Sequence, residues 1–474
     1  MSKKIVMLTV LSLLVAALVP MGVSAQSATS QTWSTSITYY TPSDTGGTLM
    51  ISYFPEGSGT SIDADPIVLS PHKAGSLYIG NVPGMTSTFQ GGAVLLSDVP
   101  VIAAAVNIAG DAAGYPRPLY SGFEPAQASA EFLIPTVLFE AYGTNSLVSI
   151  QNVESTAIDA TLRVFATGSA VPAFESTYNI PAQSAKLVAA SDMGLASGFS
   201  GSATVSATGN VVAAAQETDN NARGAKAFEG VAADGGATSI FMASMMCQAF
   251  AGNTSYYAIQ NAGGSEANVE IDFYNTAGSL LYTATGLTIG VGNKLSANPC
   301  DFTGAAPALQ GVSGSAVIRS TNGMPLIAMG KIAGGGLSPT AFLGQSVGYT
   351  KVAAPYIRWK ANPAAGERAY VAVMNVGGVN ATSVMVNYYD NQGNLAGSHN
   401  LTASEPLQPF IKKNSDPAAA GALDVNGDFG VDPYGGAIEV VSDQPVIVVV
   451  RIARSVTLPG YSLLAEDYNG VSVP

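Results

Sequence analysis

A unit of roughly 110–120 residues occurs four times in this 474-residue chain, and a repeat of that size restricts the fold more than any other feature. Leu147-Val-Ser-Ile-Gln-Asn152, Tyr256-Tyr-Ala-Ile-Gln-Asn261 and Tyr370-Val-Ala-Val-Met-Asn375 align. Each leads through a small polar turn into an alternating run that ends in aromatics: Ala160–Phe165, Val269–Tyr274 and Val384–Tyr389. A turn with Gly168, Gly278 or Gly393 follows. Ile37–Thr41, Leu49–Phe54 and Gly57 repeat the scheme more loosely. The second half of the unit recurs as Gly91–Ser97, Gly201–Ser206, Gly314–Ser320 and Gly436–Ser442, each leading into an apolar run. The alanines at 93, 203, 316 and 437 are 110, 113 and 121 residues apart. That period is the size of a domain and too long for a solenoid repeat.

Within each unit the signals are short runs rich in Val, Ile, Tyr and Thr with a period of two, bounded by Gly, Pro, Asn and Ser. Such runs read as strands of half-exposed antiparallel sheets. No stretch after the N-terminus sustains a capped helical period. Only 11% of residues are charged, too few for helical bundles or coiled coils, and 47% are hydrophobic, too many for a disordered chain. Several strands in about 110 residues match an immunoglobulin-like or fibronectin-like sandwich, without the Cys…Trp…Cys spacing of true immunoglobulin domains. The expected fold is all-β, with four tandem sandwiches over residues 26–118, 119–226, 227–340 and 341–460 and a tail strand over 461–474.

Joint segments also recur, at Leu119–Phe123, Ala227–Val231 and Ala341–Gln345. Each precedes an apolar opener: Glu131–Pro135, Ser239–Ala243 and Val352–Pro355. Joints this regular point to an extended rod, with ordinary exposed loops as the alternative. The pattern of Pro-containing opener, "IQN" strand and "GSA-V" strand resembles the tandem β-sandwich repeats of secreted bacterial cell-surface proteins, over nearly all of residues 32–474. That resemblance implies surface display, matrix or filament formation, or adhesion.

Lys3 and Lys4, the apolar run Ile5–Val19 and the small residues Val23-Ser24-Ala25 lay out a cleavable secretory leader over residues 1–25. No later segment has 18 consecutive apolar residues, so no membrane span is expected after cleavage, and the mature chain is expected outside the cell. Cleavage removes Lys3 and Lys4 and takes the net charge from −13 to −15, which argues against nucleic acid as a partner. Cys247 and Cys300 are the only cysteines, and in an oxidising compartment an even pair suggests one disulfide, with two buried thiols as the alternative.

The residues for catalysis are sparse. His72 and His399 are the only histidines, both in polar, turn-like contexts that read as surface loops, and the carboxylates alternate along strands or sit in turns. A non-catalytic protein without cofactor is expected. Asp424, Asn426 and Asp428 have the alternate spacing of a Ca²⁺ loop over residues 424–432, but Phe429 stands where Gly is required and Gly435 where a bidentate Glu belongs. A plain inter-strand turn is the competing reading. Trp33 and Trp359 could stack on sugars or pack at domain edges, and Asn253, Asn380 and Asn400 are sequons at a density chance would give.

The two ends differ. Units two to four begin with an opener about 15 residues before the "IQN"-type strand, whereas the same count back from Tyr39 reaches Ser24, inside the leader. The tail ends in Tyr468-Asn-Gly-Val-Ser-Val-Pro474, a joint with the start of another opener. One expectation is head-to-tail self-association, with Tyr468, Val471 and Val473 donated as a strand to the first unit of the next molecule. The other folds the tail back on its own fourth unit, while residues 26–36 supply a polar edge strand in the first. The function expected is a structural protein of the cell surface or matrix, with a secreted adhesin or binder of cell-surface glycans as the alternative.

Overall fold

The computed structural model describes residues 11–15, 33–110, 116–220, 224–361, 366–430, 435–458 and 460–474, with the side chains of 11–15, 457 and 458 left aside. Most of the leader lies outside the described residues. The chain is all-β, and its helical pieces are short 3-10 turns.

The third unit shows the plan. One sheet runs in the order Ser239–Met246, Ser313–Ser320, Ala267–Asn275, Leu280–Ile289; the other runs Lys294–Ala297, Thr254–Asn261, Leu326–Gly334, Leu337–Leu343. All neighbours are antiparallel, with Phe273 opposite Ala316 and Ile259 opposite Ala328. Val269, Ile271 and Phe273 point into the core, as the period of two requires. In units two and four the strand starting at the GSA motif continues into the other sheet, as Phe199–Asp219 and Gly436–Leu458.

The repeated motif residues have physical reasons. Gly91, Gly201, Gly314 and Gly436 each lie against a carbonyl oxygen of the neighbouring aromatic strand (Phe54, Phe165, Tyr274 and Tyr389), and a Cβ there would overlap it. The Asn of the "IQN" strand ties down the turn that follows. Asn152 donates to Thr156 O and Ile180 O, Asn261 to Ser265 O and Ile289 O, and Asn375 to Val379 O and Leu407 O. In the first unit Thr41 stands in this place and only accepts from Ser43 N, so the weaker sequence match is also a weaker turn.

Each joint strand closes the unit before it: Leu119–Ser121 pairs with Ile102–Ala109, Ala225–Glu229 with Phe199–Asp219, and Tyr461–Asn469 with Gly436–Leu458. Boundaries therefore fall after the joints, not before them.

The all-β sandwich reading holds, but the units are not strung into an extended rod. The GSA sheet of each unit packs on the "IQN" sheet of the next, and the fourth packs on the first, with Tyr40 donating to Glu439 across 399 residues of sequence. The four joint strands meet at the centre, where Leu119–Ser121 and Leu337–Leu343 each lie against both Ala225–Glu229 and Tyr461–Asn469. The result is a closed ring of four units. A rod fails because openers are apolar on both faces. Phe132, Leu133, Ile134, Val137 and Leu138 are all buried, one side by their own core and the other by the following unit.

Candidate functional site

The polar residues brought together in this molecule sit in the four seams of the ring. One strand position supplies a residue to each seam. Gln151 donates to Ala93 O of the first unit (3.3 Å), and Gln260 makes the same bond to Ala203 O of the second (3.3 Å). Met374 fills the place in the fourth unit and packs in the third unit's apolar cluster. Tyr40 fills it in the first, reaching Glu439 of the fourth at 2.8 Å. The Ser of the GSA motif serves the same contact from the other side, Ser202 donating to Gly292 O and Ser315 to Phe410 O.

Two seams bury charge, the first of them between units two and three. Glu217 is fully buried and receives Lys226 at 2.8 Å from its own unit and Lys331 at 2.7 Å from the third. Burial alone would raise this carboxyl, but the two lysines outweigh it and hold it at about 2. Burial pulls Lys294, in the same seam, down to about 8. Between units three and four, Arg451 is paired with Asp467 at 2.6 Å, and Thr340 donates to the same carboxylate. Near the centre, Glu229 accepts the backbone N–H of Ser121, yet burial pushes it up to about 7. Burial likewise takes Glu466 to about 7.

The closing seam, four to one, combines rings with ion pairs. His72 stacks on Tyr389 with centroids 4.6 Å apart and bonds Asp44 at 3.0 Å. His72 is thus a seam residue, not the surface-loop histidine its turn-like sequence predicts. Arg117 of the first unit reaches Glu367 of the fourth at 3.3 Å, and Ser121 donates to Asn469 O.

The other expected site residues are placed as follows. Cys247 and Cys300 form a disulfide, Cα atoms 5.1 Å apart. The tail is folded back on its own chain. Tyr468 is buried, its hydroxyl against the main chain of Tyr356, Val471 pairs with Ala353, and Val473 packs beside Tyr40 and Ala437. In the candidate Ca²⁺ loop, Asp424 accepts the N–H groups of Asn426 and Asp428, and Asp428 bonds Lys360 at 3.2 Å, a hydrogen-bonded turn; Asp432 lies outside the described residues. His399 bonds Ser415. Trp33 packs with Ala109 and Ala225, and Trp359 lies under Arg368, 4.4 Å from ring centre to guanidinium. Asn253 is buried, whereas Asn380 and Asn400 are exposed. Among the described residues no group of three or more His, Cys, Asp or Glu is placed to hold a metal ion, and no helix is long and apolar enough to cross a membrane.

Sequence reasoning missed the seam roles of Gln151, Gln260, Ser202 and Ser315. The available signal was a polar residue recurring at one place inside otherwise apolar strands.

No family model matches the chain, and no curated protein does. The serine-rich repeat protein Srr2 from Streptococcus agalactiae overlaps 55% of this chain and 85% of its own solved structure, at 8% identity and a TM-score of 0.12. A likeness that slight bears on neither fold nor function.

Proposed function

We propose that this protein is a secreted, non-catalytic structural component of the cell surface or matrix. The observation that supports this reading is the use made of its buried ionisable groups. Glu217 with Lys331, Asp467 and Arg451 with Thr340, and Glu229 with Ser121 join one sandwich to another. A structural block needs such joints, whereas catalysis wants perturbed groups converging on an open cleft. Labelling intact producing cells with an antibody, beside fractionated medium and washed matrix, tests the reading. The protein is expected in the washed surface or matrix fraction, and retention in the cytoplasm would overturn it.

Head-to-tail self-association through Tyr468, Val471 and Val473 would require Tyr461–Asn469 to leave its own unit, with loss of the Tyr468 core contact. Adhesion to surface glycans has one observation in its favour. Tyr142 and Phe250 occupy equivalent turns after the openers, both exposed and both with positive φ (54° and 46°), a conformation bulky residues rarely adopt. Glycan-array binding lost in Tyr142→Ala and Phe250→Ala would promote that reading over the structural one.

A further inference from the structure

The first unit differs from the others in where its opener comes from. In units two and three the opener lies antiparallel to the GSA strand, with Ile134 opposite Ala203 and Met242 opposite Ala316. In the first unit that place, opposite Ala93, is taken by Val15, at the end of the strand Leu11–Val15. These residues belong to the leader. Spacing points to a later part of the same leader: 17 residues separate Ile134 from Gln151 and 18 separate Met242 from Gln260, against 25 between Val15 and Tyr40. Counting back as far from Tyr40 reaches Gly22 or Val23, upstream of the cut after Ala25. What remains before Trp33 is Gln26-Ser-Ala-Thr-Ser-Gln-Thr32, without an apolar run.

Cleavage therefore takes away a strand that the other units show to be buried on both sides. Its loss exposes the edge of Gly91–Ser97, with unpaired N–H and C=O groups, and uncovers apolar surface on either side. One side is the first unit's core, around Ile51 and Leu95. The other is the face of the second unit, where Ser149 and Ala214 stand at the places that Ala258 and Met329 occupy beneath the second unit's opener. Ser149 is fully buried, and its hydroxyl has no hydrogen-bond partner among the described residues.

We propose that the mature first unit accepts, as its missing opener, a strand donated by a separate protein, antiparallel to Gly91–Ser97. The chemistry of the donor can be read from the openers in place. It is a run of about six consecutive uncharged residues, apolar on both faces, because one face enters the first core and the other lies on the second unit. The donor is not a second copy of this chain. The tail strand Tyr461–Asn469 is held between Gly436–Leu458 and Leu337–Leu343, and the openers of units two to four are paired in their own sheets. For a surface component, such a slot is an attachment point to a partner that presents the strand. The inference rests on the proposed secretion and on removal of residues 1–25.

The test uses the secreted protein after mass spectrometry of its N-terminus, so that a retained leader, which overturns the processing, is told apart from a closed slot. Hydrogen exchange is followed with and without a synthetic peptide of Glu131–Phe139, the second unit's own opener. In the free protein the amides of Gly91–Ser97 that face away from Leu49–Pro55 should exchange at unprotected rates, while the equivalent amides of Gly314–Ser320 stay protected. The peptide should bind one per chain, protect those amides and raise the melting temperature. The same peptide with Phe132, Ile134 and Val137 replaced by Asp should do none of this. Slow exchange without peptide, or no saturable protection with it, would overturn the slot. Multimers of the protein alone by mass photometry would overturn the separate donor.

Discussion

The seam between units two and three and the seam between units four and one have the same geometry and different chemistry. In both, a GSA sheet meets an "IQN" sheet through the same strand positions. The first contains a fully buried carboxylate with two lysines; the second contains Tyr40, His72 and Tyr389 around Glu439, with Glu367 held separately by Arg117 and Arg358. The difference shows what a repeat preserves. Backbone approach is set by glycines and strand pairing, so it recurs, while the side chains that fill each seam are free to diverge as long as buried charges find partners. The closing seam also lacks a short linker to bring its two sides together, so its contacts must hold the ring shut against the entropy of opening.

The largest effect is expected at Glu217, the carboxylate with no exposure. Glu217→Ala leaves Lys226 and Lys331 buried without their counter-charge and should cost about 3–5 kcal/mol in urea unfolding. An effect no larger than that of the closing-seam variant below would break the comparison. Removing the disulfide with Cys247→Ser and Cys300→Ser, which frees a loop of 53 residues inside the third unit, should cost roughly 2–4 kcal/mol yet leave the scattering profile of the ring unchanged. Opening of the ring in that variant would mean the seams depend on the internal stiffness of a unit.

Glu229 sharpens the comparison through pH. Its folded pKa of about 7 lies above the ordinary 4.5, so the folded state holds the proton more tightly. The benefit is complete below about pH 4.5 and is lost as pH rises to about 7, worth about 3 kcal/mol for the single group. Glu466 acts in the same direction over the same range. Glu217, held at about 2, acts oppositely, its contribution being lost as pH falls from about 4.5 to 2. Melting temperatures measured from pH 5 to 8 should therefore fall less steeply in Glu229→Gln than in the parent. The smallest effect is expected for Tyr40→Phe. It removes the bond to Glu439 but leaves His72 and Lys351 near that carboxylate, at about 1–2 kcal/mol, and should show chiefly as faster proteolysis around the closing seam.

The strands were legible because their signal is local. Val269, Ile271 and Phe273 alternate with polar neighbours, and any sheet that buries one face demands that alternation. Gly314 and Asn261 were legible as recurring landmarks, although their roles, a close carbonyl and a capped turn, needed coordinates. Gln260 was read only as part of a strand motif, because its partner, Ala203 O, lies 57 residues away in another unit. His72 was misread for a related reason. Its neighbours in sequence are turn residues, and the ring that covers it, Tyr389, comes from the far end of the chain.

The sequence by itself determined the number of units, their all-β character and the Cys247–Cys300 pairing as one of two options. Each of these depends on spacing and periodicity, which act over a few residues or are counted along the chain. The tertiary structure alone decided that the four units close into a ring and that the buried charges lie in seams. Closure depends on the turn between successive units, about a quarter of a circle at each heterologous contact. That angle arises from how two apolar faces and their few polar bonds fit together, a property of surfaces that no stretch of sequence contains.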